Sequence, residues 1–218
     1  MADDFIGKKM EDYLARKNSP ATKRKSSASL SSLLLKNRSY RSYDKSFTVR
    51  ADQLRSIIEV NTKIASARNG QTLRFRPVLA NEAIKVLPHI RLGAALPDLE
   101  LPPKGYEPQS FIVVCSTKTP TPYTYIDLGI SAQSMLLRAV EIGLNGICIA
   151  AFDKSIIKKE LQLPFEPLLI LAIGKGAEQI QLTEATDKSR LDYYRNDNTH
   201  YVPKLGIDDI IIPADDQD

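Results

Sequence analysis

The chain has 218 residues, 43% of them hydrophobic and 26% charged, so it can bury one sizeable core and is too short for a multidomain machine. Lys and Arg number 30 against 26 Asp and Glu, a net charge of +4. That balance calls for no nucleic-acid and no membrane partner, and it leaves room for a bound anion. The two cysteines, Cys115 and Cys148, each sit in an apolar stretch and read as buried reduced thiols. With His89 and His200 at no ligand spacing, neither a disulfide framework nor a zinc site is expected. No run approaches the roughly 18 apolar residues of a spanning helix, and Asp3 and Asp4 spoil a signal-peptide start, so a cytoplasmic protein is expected.

In chain order, residues 5–16 place Phe5, Ile6, Met10, Tyr13 and Leu14 near one helical face. The stretch NSPATKRKSSAS then combines Pro, Ser and a Lys-Arg-Lys run, which is connector chemistry. No aromatic residue interleaves Lys23, Arg24 and Lys25 to stack on bases, so a solvated arm is the better reading. The division is therefore an N-terminal helix and basic arm over 1–28 and a single domain over 29–218.

A short helix is predicted over 30–35 and a longer one over 51–65, its apolar side formed by Leu54, Ile57, Ile58 and Ile64, with Thr48 as the cap. LRFRPV alternates Leu73 and Phe75 against Arg74 and Arg76, the pattern of a half-buried strand that Pro77 weakens. A brief helix over 81–87 and a Pro-rich surface loop over 97–108 follow. SFIVVCS reads as a strand buried on both faces, and 123–144 as a long central helix apolar almost all round. GICIAAF, DKSIIKKEL and LLILAIG then give strand, Asp153-capped helix and buried strand. RLDYYRNDNTHYVPKLG is polar and irregular. It ends in IDDIIIP, an apolar strand with nothing local to pair with, which points to a sheet edge in this chain or in a partner.

Three common chemistries are excluded by their motifs. No GxGxxG follows a strand, no GxxxxGK[ST] exists, and no GxSxG elbow is present; GKG at 174–176 is a lone turn. Two polar clusters bracket the first long helix. Arg38-Ser39-Tyr40-Arg41 offers forked donors for a phosphate or another planar anion. Ser66-Ala67-Arg68-Asn69-Gly70-Gln71 offers donors and acceptors suited to the edge of a heterocycle. Asp127 reads as a first-turn acid on the helix dipole, Gln133 as a core polar group, and Tyr193, Tyr194 and Tyr201 as anchors for the tail. His200, beside Tyr201, is a weak candidate for substrate contact.

From about Leu34 to Leu205 the sequence resembles the nitroreductase-like flavoproteins, which bind FMN. NRSYRSY is similar to the family's RRSxRxF, whose Arg-Ser-x-Arg run holds the FMN phosphate and reaches the pyrimidine side of the ring. IASARNGQTLRF is similar to APSAxNxQPWxF, whose Ser, Asn and Gln meet the flavin, commonly from the other subunit. The run from DLGIS to IAAF resembles the helix and strand ending in GLGSxWIGxF, whose backbone N–H groups address the ring. VPKLG resembles the basic C-terminal segment that adds a cation to the phosphate.

The resemblance implies an α+β fold with a mostly antiparallel central sheet wrapped by helices, in a homodimer with FMN at the interface and the C-terminal strand added to the partner's sheet. It implies that Arg38, Ser39 and Lys204 hold the phosphate, that Arg41 lies near the pyrimidine side of the ring, that Ser66, Asn69 and Gln71 orient the ring or ribityl chain, that Tyr40 and Ala67 belong to the same cofactor-binding set, and that the backbone of Ile149, Ala150 and Ala151 faces the ring. It implies no catalytic side chain. The expected function is an FMN-dependent NAD(P)H oxidoreductase working by a ping-pong mechanism, with NADH or NADPH as donor and a nitroaromatic or quinone as small-molecule acceptor. The alternative is a non-catalytic flavin carrier or sensor. The sequence departs from the family pattern at Asn37 for arginine, Leu73 for tryptophan, Ala150 or Ala151 for glycine and Leu205 for a second basic residue.

Overall fold

The computed structural model describes residues 28–93, 96, 99–196 and 199–213. The expected helix over 5–16, the basic run at 23–25 and part of the 97–108 loop lie outside the described residues. Helix α1 (Leu30–Lys36) leads to α2 (Ala51–Glu59), which tightens into a 3-10 turn over Val60–Thr62. Strand β1 (Leu73–Val78) follows, then a 3-10 segment Ala80–Lys85 and strand β2 (Ser110–Ser116). Helix α3 (Pro122–Glu141), β3 (Asn145–Ile149), α4 (Lys154–Glu160) and β4 (Glu166–Gly174) complete the main body. No helix among the described residues is long and apolar enough to cross a membrane.

The main sheet has the order β1-β2-β4-β3, with every pair antiparallel. β2 and β4 lie at its centre, which is why their sequences are apolar on both faces. The two-residue period divides them between two cores. Ile112 and Val114 of β2, with Leu171 and Ile173 of β4, face Leu54 and Ile57 of α2 and Met135 and Ala139 of α3. Phe111, Val113, Ile170 and Ala172 face Tyr43, Val86 and Ile157 of α4. Helices thus cover both faces of the sheet. β1 is one edge, where Pro77 lacks a donor at little cost.

The caps explain where helices begin. Asp153 accepts the Ile156 N–H at 3.0 Å, as its sequence position predicts. At α2, however, Thr48 is not the cap: the helix starts after Arg50, whose N–H donates to Gln53 Oε1 at 3.0 Å. α3 departs from the central, apolar-all-round expectation. One side packs on the sheet, while Tyr123 (60% exposed), Ile126 (57%) and Ile130 (39%) are left outside.

A second, three-stranded sheet joins β5 (Gln179–Glu184), β6 (Tyr194–Asn196) and β7 (Thr199–Lys204) in the order β5-β7-β6. Contrary to the expectation from its apolar run, IDDIIIP does not form a strand in this chain. Ile207–Ile210 makes one helical turn, α5, because the Asp209 carboxylate turns back to accept the Gly206 N–H at 3.2 Å and also pairs with Lys188. Ile207, Ile210, Ile211 and Ile212 stay exposed.

Gly146 in β3 fixes how closely α3 can approach the sheet. A Cβ there would lie 2.7 Å from Ala172 O and 2.7 Å from Leu136 Cδ2. Gly146→Ala is therefore expected to lower the unfolding free energy by about 1–3 kcal/mol. An unchanged urea midpoint would contradict this packing.

Candidate functional site

The segment after α1 runs along the open edge of β3. Ser39 forms a parallel bridge with Gly146, and the Tyr40 N–H donates to Gly146 O at 3.2 Å. Tyr43 bridges to Gly176, and the Ala177 N–H donates to Ser42 O at 3.0 Å. The lone GKG turn has its reason here. A Cβ at Gly174 would lie 2.7 Å from the Tyr43 ring, and one at Gly176 would overlap the Tyr40 ring. Glu178, with its side chain 4% exposed, secures the segment from behind: its carboxylate accepts the backbone N–H groups of Arg41 and Ser42 and pairs with Arg195 of β6.

This docking gathers four of the predicted residues, Arg38, Ser39, Arg41 and Lys204, around one cavity of about 340 Å³. Among the described residues no carboxylate lines it. Arg41 is only 7% exposed. Its Nη1 donates to Ser39 O at 2.9 Å and faces His200 Nε2 at 3.3 Å, and its Cζ sits 4.6 Å from the centre of the Tyr193 ring. Arg38 Nη2 donates to Leu34 O at 2.6 Å. The Nε atoms of Arg38 and Arg41 are buried with no acceptor among the described residues. Buried cations without a counter-charge are unfavourable unless an anion arrives. Burial already lowers the Arg38 pKa.

The walls of the cavity include residues whose sequence readings need correction. Gln133, read as a core polar group, is exposed on α3, and its Oε1 lies 3.4 Å from Asn37 Nδ2. Cys148, read as buried, opens onto the cavity. Alternation along NGICI explains this: Ile147 and Ile149 take the core, leaving Gly146 and Cys148 on the other face. Burial in the wall pushes the Cys148 thiol up to about 11, so it is no thiolate at neutral pH. His200, from the polar tail, is 2% exposed. Burial, then the charges of Arg41 and Arg195, lower its pKa to about 4.

The second predicted cluster lies elsewhere in the single chain. Ser66 and Gln71 line a cavity of about 490 Å³ together with Asp127 and Ser131 of α3. Asp127 is more than a dipole residue. It is buried, and its Oδ1 accepts the Ala67 N–H at 2.9 Å, which pins the turn. Arg68 (φ 53°), Asn69 (φ 52°) and Gln71 (φ 44°) are all left-handed, while Gly70 is not. Asparagine tolerates that region; Arg68 and Gln71 do so at a cost of about 1–3 kcal/mol each. Gln71 Nε2 donates to Asn69 Oδ1 at 2.9 Å.

The remaining predicted residues separate again. Ile149 is buried in the core, and Tyr40 is half-buried beside Gly176. Ala150 and Ala151 line a third cavity, of about 490 Å³, with His89 and Arg91. The loop is held there by the Arg91 N–H, which donates to Ala151 O at 2.9 Å, and by the Asp153 N–H, which donates to His89 O at 3.1 Å. The single chain therefore unites the cationic cluster alone. Among the described residues no cluster of metal-ligating side chains occurs.

The depressed His200 pKa has a consequence for stability. From pH 6.5 down to about 4 the unfolded chain takes up a proton that the folded chain refuses. This contribution is fully present above pH 6.5 and is lost as pH falls through that window. Thermal melts of the anion-free protein should show a steeper acid loss than those of His200→Gln. Equal slopes would mean that His200 titrates normally.

The nitroreductase family model matches residues 34–175, from the end of α1 past β4. A nitroreductase family protein from Clostridium difficile 630 shares 25% identity at a TM-score of 0.54, covering 72% of this chain and 90% of its own. A variant of an FMN- and NADPH-dependent nitroreductase from Sphigopyxis sp. strain HMH shares 18% identity at a TM-score of 0.62, covering 86% of this chain and 100% of its own. A nitroreductase family protein from Streptococcus pneumoniae shares 17% identity at a TM-score of 0.59, covering 84% and 98%. No curated protein matches. With the family model spanning well over half of the sequence and the same fold recurring in these structures, the chain belongs to the nitroreductase family.

Proposed function

We propose that this chain is an FMN-dependent NAD(P)H oxidoreductase. The observation that carries the reading is the cavity of Arg38, Arg41 and Lys204, where among the described residues no carboxylate lines the wall and buried guanidinium donors lack acceptors. A phosphate monoester supplies the missing acceptors and the missing charge. When bound, FMN supplies two-electron transfer from NADH or NADPH to a small-molecule acceptor such as a nitroaromatic or quinone, in a ping-pong sequence. Arg38, Ser39 and Lys204 hold the phosphate. Arg41, expected from the resemblance at the pyrimidine side of the ring, opens onto the same cavity as Arg38 and Lys204 and would donate to the phosphate as well. In this reading the backbone of Ile149, Ala150 and Ala151 would address the ring, and no side chain would act as nucleophile.

Ser66, Ala67, Asn69 and Gln71 complete the site from the second subunit of a homodimer. Two observations support this. The 66–71 turn opens onto a different cavity from the arginines. Moreover, α3 leaves Tyr123, Ile126 and Ile130 exposed beside it, and the tail adds four exposed isoleucines. Residues 1–28 form an appended arm in this reading.

Reconstitution with FMN, followed by anaerobic addition of NADH and then NADPH, tests the proposal through the visible flavin absorbance. Bleaching supports a reductase. Bands that persist favour a flavin carrier or sensor, and absence of any bound flavin refutes both. Arg41→Ala should weaken FMN binding by about 1.5–3 kcal/mol, the usual value of one charged hydrogen bond; unchanged occupancy would remove Arg41 from the site.

A further inference from the structure

His200 lies on β7, beyond the span matched by the family model. Its ring is 2% exposed and is wedged between Tyr193, with ring centres 4.9 Å apart, and the Arg41 guanidinium. A guanidinium only donates, so at the 3.3 Å contact His200 Nε2 is the acceptor and the neutral ring carries its proton on Nδ1. The charged and titratable groups facing the ring or sharing its cavity are Arg41 and Arg38 from the segment after α1, Cys148 on β3, Arg195 on β6, Tyr193 ahead of it and Lys204 at the end of its own strand. Burial and the two arginines keep the ring neutral down to about pH 4.

We infer that His200 is a positioning residue that fixes the Arg41 guanidinium without neutralising it, leaving the full positive charge for an oxyanion in the cavity. Arg41 has two ways to settle. Glu178 is adjacent, and its carboxylate already accepts the Arg41 backbone N–H. A guanidinium swung onto that carboxylate would be well satisfied and discharged. A neutral imidazole satisfies one edge and cancels nothing. Nη1 is committed to Ser39 O and His200 Nε2, whereas Nη2 has no hydrogen bond among the described residues and is the edge left for a ligand. Tyr193 adds a ring face that also holds a cation without opposing charge.

The identity of that oxyanion as the FMN phosphate rests on the function proposed above, so the test separates the two. FMN and riboflavin, which differ only by the phosphate, are titrated against wild type, His200→Gln, His200→Leu and His200→Glu by quenching of flavin fluorescence. His200→Gln keeps a neutral acceptor and should bind both flavins within about threefold of wild type. His200→Leu removes the acceptor and should lose FMN affinity by about tenfold or more with riboflavin unchanged. His200→Glu should also lose FMN selectively, although it grips the guanidinium harder. Equal losses of both flavins in His200→Leu, or unchanged FMN affinity in His200→Glu, would overturn the assignment. Nitrogen NMR of the flavin-free wild type reports on His200 directly, with the His200→Gln spectrum identifying its signals. A neutral ring protonated on Nδ1 through neutral pH supports the role, and protonation on Nε2 overturns it. A wild type that binds neither flavin counts against the cofactor reading alone, and the tautomer then decides for His200.

Discussion

The open edge of β3 is the constraint on which the site depends. An edge strand presents unpaired backbone groups, and here the strand order leaves β3 exposed at the end opposite β1. Ser39 and Tyr40 close part of that edge by pairing with Gly146, which carries the Arg38 and Arg41 side chains to the cavity beside it. Because Gly146 lets α3 pack tightly on one side while its carbonyl receives Tyr40, one residue sets both the packing and the position of the arginines. Gly174 and Gly176 complete the fit by admitting the rings of Tyr43 and Tyr40.

Charge is arranged more sharply than the net +4 conveys. Three cations share a small cavity that no carboxylate among the described residues lines. The nearest organising carboxylate, Glu178, is spent on the backbone N–H groups of Arg41 and Ser42 and on Arg195. It shapes the segment without entering the cavity. Neutral partners, the Ser39 carbonyl, the His200 ring and the Tyr193 face, hold the Arg41 guanidinium. Such an arrangement stores unfavourable desolvation that an incoming anion relieves.

The turn at 66–71 shows a complementary form of preparation. Asp127 pins the turn at Ala67 and Gln71 donates to Asn69, so the left-handed backbone of Arg68, Asn69 and Gln71 is held by local hydrogen bonds. The neighbouring face of α3 bears exposed Tyr123 and Ile126, apolar surface that the described residues of this chain leave uncovered. Organised polar groups beside uncovered apolar surface are what a second subunit would complete.

Much of the fold was legible in the residues themselves. The doubly buried β2 and β4 follow from uninterrupted apolar runs, α4 from its Asp153 cap, and β1 from the alternation of Leu73 and Phe75 against arginines that Pro77 interrupts. The clusters at 38–41 and 66–71 were legible as motifs. IDDIIIP was misread because a short apolar run is equally consistent with a strand or a helical turn, and only the reach of Asp209 back to Gly206 decides between them. Gln133, Cys148, Asp127 and His200 escaped for a related reason. Their roles come from partners far away in sequence: Asn37, Ala67 and Arg41 for three of them, and for Cys148 a cavity lined by residues as distant as Arg38 and Lys204. Local composition and periodicity thus determined the strands and helices of the main body, since those depend on neighbours a few residues apart, whereas β6 and β7, in a stretch that reads as polar and irregular, and the helical turn at 207–210 follow from pairing and capping contacts. Tertiary structure alone decided which of three cavities each polar residue serves and which charges stay uncancelled, because those depend on contacts that no local pattern encodes.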